Sequence, residues 1–382
     1  MSKCRIAALA LFAGVLMSAS AQDQEYKLVV KPSGRILLDG ATMHSNDKDF
    51  NKQTEGGFTM PDIRVGFKAT YGPWTAKVDV GYGRSTLSMK DVYMQYDFNK
   101  QNFLRAGYFG HHFSYQSATT SSFKIAMEGP ESNAFDSNER LLGVMFEHYT
   151  DKILAALSVY SDNQSFKKAT NETGYQGKGL MSRFVYHPTI KKGNLFQVGV
   201  GLSYEEASKN RSNMKWTATY PTRVCNLTAI GTELKDAKSD MKVAGELMVA
   251  KRHLGLEAQY NCMNVWRNDG APRYFTWGTY GNLRWLINNE YCYSKADGGI
   301  ATPVPKSWEL VASYNYTDMN DGDIRGGKLS DWSLTMNYYI NKYMIWRVST
   351  HFVNVGSSNT GVTATPDKNK FSVLETRLQF KL

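Results

Sequence analysis

Few residues of this 382-residue chain stand at spacings suited to making or breaking bonds. His111-His112 closely precedes Ser114, which raises Ser–His chemistry. On a strand, however, sequence neighbours point to opposite faces, and no third partner is indicated. The two histidines also lack the clustered carboxylate or Cys that would complete a metal site. Cys225, Cys262 and Cys292 lie beyond the N-terminal segment that holds Cys4. Three thiols cannot all pair, and none sits at metal-ligand spacing; a single bridge remains open. The net charge of +10 comes without a zinc-ligand pattern, an RNA-binding motif or a basic run, which argues against nucleic acid as a partner. No cofactor is indicated.

The charges are informative when read by position. The chain is rich in segments of alternating apolar and polar residues. Parity places Arg35, Arg64, Lys68, Lys77, Arg105, Arg183, Lys242, Arg284, Arg347 and Arg377 on the polar face. Asp39, Asp79, Asp91, Asp97, Glu147, Glu246, Glu257, Glu309 and Glu375 share it. If that face lines water inside a closed barrel, ladders of Arg and Lys would select anions. Two nearly equal sets predict instead a broad channel with weak preference. The plainer reading of any one of these cations is a cross-strand ion pair that stiffens the wall. Tyr93, Tyr339 and Tyr343, on the same face, offer rings on which sugars could stack.

The elements that must position these residues are strands. In Asp331–Phe352, Trp332, Leu334, Met336, Tyr338 and Ile340 alternate with polar residues, and Met344, Trp346, Val348, Thr350 and Phe352 do so after the Asn341-Lys342 turn. A period of two means strands. Each arm has the length of a tilted membrane-crossing strand, with aromatics at its ends as at the two water–lipid interfaces. Comparable segments recur at about Gly34–Met43, Phe58–Thr70, Trp74–Gly83, Leu87–Phe98, Asn102–Phe113, Arg140–Tyr149, Lys152–Tyr160, Gly177–His187, Asn194–Glu205, Asp240–Lys251, Leu254–Val265, Tyr274–Leu286, Trp308–Thr317 and Lys370–Leu382. With the two arms they make about sixteen strands of an all-β, transmembrane antiparallel β-barrel. Connections alternate long and short, except that Ile287–Lys306 is long on the short-turn side. Either that side carries one long loop or a hairpin is miscounted there.

The N-terminus sets the destination. Lys3 and Arg5 precede the apolar run Ile6–Met17 and the small-residue site Ala19-Ser20-Ala21. Residues 1–21 read as a cleaved secretory signal peptide of bacterial type, and residues 22–382 as one barrel domain. The mature chain has no apolar run long enough for a membrane helix. Ser114–Glu139 lacks alternation. It carries Lys124, Glu128 and Glu131, with Phe123, Ile125, Met127 and Phe135 as apolar anchors, and is the best candidate for a constriction; two acids and one base argue against a strong phosphate site there.

Several stretches resemble the phosphate-selective porin O and P family. Met89–Tyr96 (MKDVYMQY) resembles its L-K-D-A-Y strand. Leu104–Phe113 resembles its v-G-q-f-x-x-P-F, with His112 where Pro is common. Leu286–Leu310 resembles its T-G-E-x-R-x-Y … W-E-L block, with Asn289 in place of Gly and no Arg between Glu290 and Tyr293. Trp332–Asn341 resembles its w-t-l-G-l-N-W-Y-l-N, and Thr376–Phe380 its last strand. The likeness runs from about residue 34 to the end. It implies a homotrimer of sixteen-stranded barrels in the bacterial outer membrane, each with its own pore and an inward-folded third extracellular loop. The expectation is an outer-membrane porin for passive diffusion of small hydrophilic solutes, anions such as phosphate among them, with no reaction. Its partners would be outer-membrane lipid and those solutes. An outer-membrane barrel enzyme or an adhesin without an open pore is the alternative, and a secreted β-sandwich is disfavoured by the aromatic strand ends.

Overall fold

The computed structural model describes residues 26–382 except 55, 84–85, 120–123, 131–134, 136–139, 162–176, 209–212, 226 and 365–366. The expected signal segment, Phe123 and Glu131 therefore lie outside the described residues.

Sixteen strands follow the alternation: β1 Val29–Ser45, β2 Ile63–Tyr71, β3 Trp74–Gly83, β4 Thr86–Asp97, β5 Asn102–Gly110, β6 Arg140–Tyr149, β7 Ile153–Ser161 and β8 Lys178–Lys191. They continue as β9 Asn194–Glu206, β10 Ala237–Lys251, β11 Leu254–Arg267, β12 Tyr274–Leu286, β13 Ser307–Asp321, β14 Ile324–Tyr339, β15 Met344–Val355 and β16 Asn369–Lys381. Each pairs antiparallel with the next. β1 pairs with β16, from Arg35↔Lys381 to Ser45↔Phe371, so the sheet closes on itself. Closure leaves no edge and satisfies the backbone within lipid.

β2 is preceded by the short run Gly57–Thr59, which also pairs with β1. Pro61 lies in the gap, where it has no N–H to give a ladder. The gap leaves Asp62 buried on the inner side, between Arg35 and Arg64.

One face of each strand is exposed and apolar, as lipid demands: Val65, Leu157, Leu283, Trp332 and Leu334 project outward. Aromatic pairs meet across neighbouring strands on this face. Trp308 and Tyr338 are ring-to-ring at 4.2 Å, Tyr314 and Trp332 at 4.4 Å, and Trp74 and Tyr96 at 4.8 Å. The last strand ends in the outward Leu378 and Phe380, which closes the apolar belt at the seam.

The short turns sit at one end of the barrel. The connector 287–306 is the single long one there, so the strand count holds. At the other end, a hairpin (Met214–Thr219 with Thr228–Leu234) and a short helix α1 (Lys48–Gln53) pack into an apolar cluster with the upper strands. Phe50, Tyr220 and Phe371 meet ring to ring at its centre. A second short helix, α2 (Tyr115–Ala118), follows β5. β5 stops at Gly110, not Phe113 as expected. His111 and His112 leave the strand because the chain turns inward to the capping box of Ser114 and Ser117.

Candidate functional site

The inner face carries the sequence-predicted cations, and nearly every one is committed. Arg35 is paired with Asp62, and Arg64 reaches the same carboxylate at 2.8 Å. Lys77 bridges Asp79 at 2.8 Å and Asp91 at 3.0 Å, and Arg140 grips Asp91 at 2.6 Å. Arg183 meets Glu246 through two nitrogens at 2.9 and 3.1 Å. Arg284 lies between Glu309 at 2.8 Å and Glu257 at 3.5 Å. Arg377 holds Asp39 and Glu128. Arg105 has a different setting: it donates to Gln95 Oε1 and lies over the rings of Tyr93, Phe103 and Phe109, at 4.5 to 5.3 Å from their centres. Lys68 is exposed, in register with Lys31 and Lys77. Lys242 lies 3.4 Å from Asp240. Cross-strand ion pairing is thus the rule on this wall.

Two connections from opposite ends are bonded to inward-facing side chains. From the long-loop end, residues 124–128 lie against β14, β15 and β16. Lys124 C=O accepts from Arg347 Nη2 at 2.9 Å, Ile125 C=O from Asn337 Nδ2 at 2.9 Å, and Met127 C=O from Arg377. Of the four expected anchors, the three within the described residues, Ile125, Met127 and Phe135, are buried. Glu128 is clasped by Arg377 and by Arg223 at 2.7 Å. Burial would raise its carboxyl, but the two guanidiniums outweigh that and hold it at about 2.

From the short-turn end, 287–306 is first tied to neighbouring turns by Gly193 N–H on Tyr291 C=O and Tyr291 N–H on Arg252 C=O. It then forms a narrow hairpin, Tyr293–Ser294 against Gly299–Ile300. Its tip carbonyls, on Asp297 and Gly298, accept from Arg183, and Gln197 also donates to Gly298 C=O. Gly298 has φ +60°, and a Cβ at Gly299 would lie 2.0 Å from the Tyr115 ring, so the tip needs both glycines. Tyr115 and Ile300 share one small core, so the two connections touch. Tyr291 donates to Glu309 at 2.9 Å; burial and that carboxylate push its phenol up, which keeps it a donor.

The family model of phosphate-selective porin O and P matches residues 44–382. The chain belongs to that family. It is an outer-membrane channel protein, and the closed sixteen-strand barrel is the fold that this requires. Its solved structural neighbours are similarly built. Salmonella typhi OmpF in complex with daunomycin superposes with TM-score 0.58 at 11% identity, covering 92% of this chain and 97% of that one. OmpT, an outer membrane protein of Vibrio cholerae, gives 0.57 at 8%, covering 95% and 100%. The outer membrane channel DcaP of Acinetobacter baumannii gives 0.56 at 12%, covering 92% and 97%. No curated protein matches the sequence.

In this porin the inner wall also holds a hollow that the charge pattern did not reveal. Two cross-strand rows make its floor: Asn282, Ser313, Ser333 and His351 in one, Tyr280, Asn315 and Asp331 in the next. The small serines, facing each other on β13 and β14, leave space between bulkier neighbours. Gln116 of α2, Lys124–Ala126, Glu128–Pro130 and Pro221 lie over it, leaving a small hollow of about 30 Å³. Alternation with Leu310, Ala312, Tyr314, Trp332, Leu334, Thr350 and Phe352 puts Ser313, Asn315, Ser333 and His351 on the polar face, but the covering residues come from loops whose path no alternation encodes. None of Cys225, Cys262 and Cys292 takes part in a disulfide. Among the described residues, no group of three His, Cys, Asp or Glu could hold a metal ion.

Proposed function

We propose that this porin is a passive channel with weak anion preference, and that its water path follows the β2–β6 side of the barrel. One observation carries this reading: the difference in exposure around the inner wall. The side chains of Arg64, Lys77 and Arg140 are 15%, 23% and 26% exposed. Those of Arg183, Arg284 and Arg377 are 0%, 2% and 3% exposed, covered by the two inward-bonded connections. On this reading the loop around residues 115–130, the third connection at its end of the barrel, narrows the pore, and small hydrophilic solutes pass beside it. Arg64, Lys68, Lys77 and Arg105 are then pore-lining, whereas Lys124, Arg183, Arg284, Arg347 and Arg377 hold the constriction in place. Most carboxylates on the open side are matched by cations, with Arg105 held by an amide and rings. That leaves a modest positive bias, which favours phosphate-like anions only slightly.

No reaction belongs to this reading. Ser349 Oγ is 2.9 Å from His351 Nε2, and His351 Nδ1 is 2.8 Å from Asp331, an order that suits a nucleophile. Yet Ser349 is 1% exposed, shares its hydroxyl with Thr335 at 2.8 Å, and stands mid-strand where neighbouring N–H groups serve the ladder. Nothing there is left to hold an oxyanion. A homotrimer in outer-membrane lipid is the assembly we propose, in keeping with the solved trimer form of Vibrio cholerae OmpT.

Cysteine accessibility tests the path. In a background with the native thiols replaced by Ser, Gln95→Cys should react with a charged methanethiosulfonate and reduce single-channel current. Asn337→Cys, fully buried beneath the loop, should not. The reverse pattern would move the path to the other wall.

A further inference from the structure

Ion pairing is the rule inside the barrel, but one group of cations at its short-turn end is not paired. The β8–β9 and β10–β11 turns carry Lys191, Lys192, Lys251 and Arg252, all exposed. The two turns touch, since Arg252 N–H donates to Gly193 C=O at 2.7 Å. Among the described residues, none of these four side chains forms an ion pair. One carboxylate, Glu290, approaches Gly193 between them. His253, next along, has its Nδ1 on the Leu286 and Asn289 carbonyls.

Register places two of the four on the lipid side. Leu195 is buried inside the barrel, so its neighbours Asn194 and Phe196 face outward. Asn194 stands opposite Lys191 on one side and Lys251 on the other. The same cross-strand row continues through Leu254 to Trp285, both exposed. The next outward row, two residues deeper into the membrane, is Phe196, Val249, Leu256 and Leu283, and it is wholly apolar. Lys191 and Lys251 therefore stand at the edge of the apolar belt beside an interfacial Trp, with Lys192 and Arg252 one step beyond. That is the height of phospholipid phosphates, and short turns face the periplasm, so the leaflet is the inner one. The rest of this rim differs: Lys100 and Lys342 stand singly in their turns, and Lys152 follows the exposed Asp151.

We propose that this patch docks the headgroup of an anionic phospholipid of the inner leaflet. Its phosphates accept from Lys191, Lys192, Lys251 and Arg252, and its acyl chains lie on the row from Phe196 to Leu283. Four cations against one carboxylate suit a headgroup that carries two phosphates. A zwitterionic headgroup would bring an ammonium into the same place. The proposal needs the barrel in its membrane but no open pore, so its failure leaves the channel reading untouched.

Native mass spectrometry of the folded protein, released from micelles that hold cardiolipin or phosphatidylcholine, counts the retained lipid. The site variant combines Lys191→Gln, Lys192→Gln, Lys251→Gln and Arg252→Gln. The control variant removes the same charge from the same rim, through Lys100→Gln, Lys152→Gln, Lys306→Gln and Lys342→Gln. Heat-modifiable gel mobility checks that both fold. Cardiolipin should be retained in preference to phosphatidylcholine, about tenfold less by the site variant and near the parent level by the control. Excess inorganic phosphate should not displace it. Equal retention of the two lipids, equal loss in the two variants, or displacement by inorganic phosphate would each overturn the proposal. So would displacement by a soluble muropeptide, whose carboxylates would make the patch a cell-wall contact instead.

Discussion

Arg377 and Asp39 stand directly opposite each other across the seam that closes the barrel, joined by two hydrogen bonds of 2.7 and 2.6 Å. The same guanidinium reaches Met127 C=O and Glu128 of the third loop. One side chain therefore fastens both the ring and the loop laid against it. A bidentate, charge-assisted pair in a dry setting is the strong form of this interaction.

Removing one partner leaves the other charge buried and alone. Arg377→Leu should destabilise the folded barrel by about 3–5 kcal/mol, and Asp39→Asn in the same chain should recover part of that loss. Urea unfolding in detergent, read by gel mobility, measures both. Equal stability of all three proteins would mean that the pair is not what holds the seam.

Glu128 predicts an acid response of the loop. Its folded value, about 2, lies below the ordinary 4.5, so its contribution is complete above about 4.5 and is lost as pH falls toward 2. Single-channel conductance should rise over that window as the loop loosens. Glu128→Gln should show the higher conductance already at neutral pH and a smaller acid step. An unchanged step in that variant would assign the response to other groups.

Much of this wall was legible because lipid leaves a direct record in sequence. Trp74–Gly83, Arg140–Tyr149 and Tyr274–Leu286 coincide with the segments read from alternation. Where strands extend beyond the apolar belt, the record stops: β13 and β14 run on to Asp321 and back from Ile324 in mostly polar residues, several positions past the expected ends. The inward connections left less trace. Their bonds run from Arg183, Asn337, Arg347 and Arg377 to main-chain carbonyls, and any residue supplies a carbonyl. Two signs were legible: the length of 287–306 on the wrong side, and the loss of alternation over Ser114–Glu139 with Ile125, Met127 and Phe135 as apolar anchors.

That connection gives a third prediction. Arg183 supplies two bonds to its tip, at 2.9 Å each, while pairing with Glu246. Arg183→Met combined with Glu246→Gln should free the tip without stranding a charge. Larger and noisier unitary currents are expected in bilayers. Currents identical to the parent would show that 290–301 does not limit flow.

Arg105 and Arg284 separate path from scaffold. Arg105→Glu should shift the reversal potential in a KCl gradient toward cation preference, because Arg105 is partly exposed on the open side. Arg284→Met, fully covered and held by Glu309, should lower stability and leave the reversal potential in place. Reversal potentials in a salt gradient distinguish the two, and equal shifts would contradict the asymmetric path.

The most direct test is the unitary conductance of folded, purified protein in a planar bilayer, with its reversal potential in asymmetric KCl. Stepwise openings with a small anion preference are predicted. Absence of openings from protein that keeps its heat-modifiable mobility would contradict an open channel, and strong anion selectivity with phosphate block would contradict the paired-charge wall.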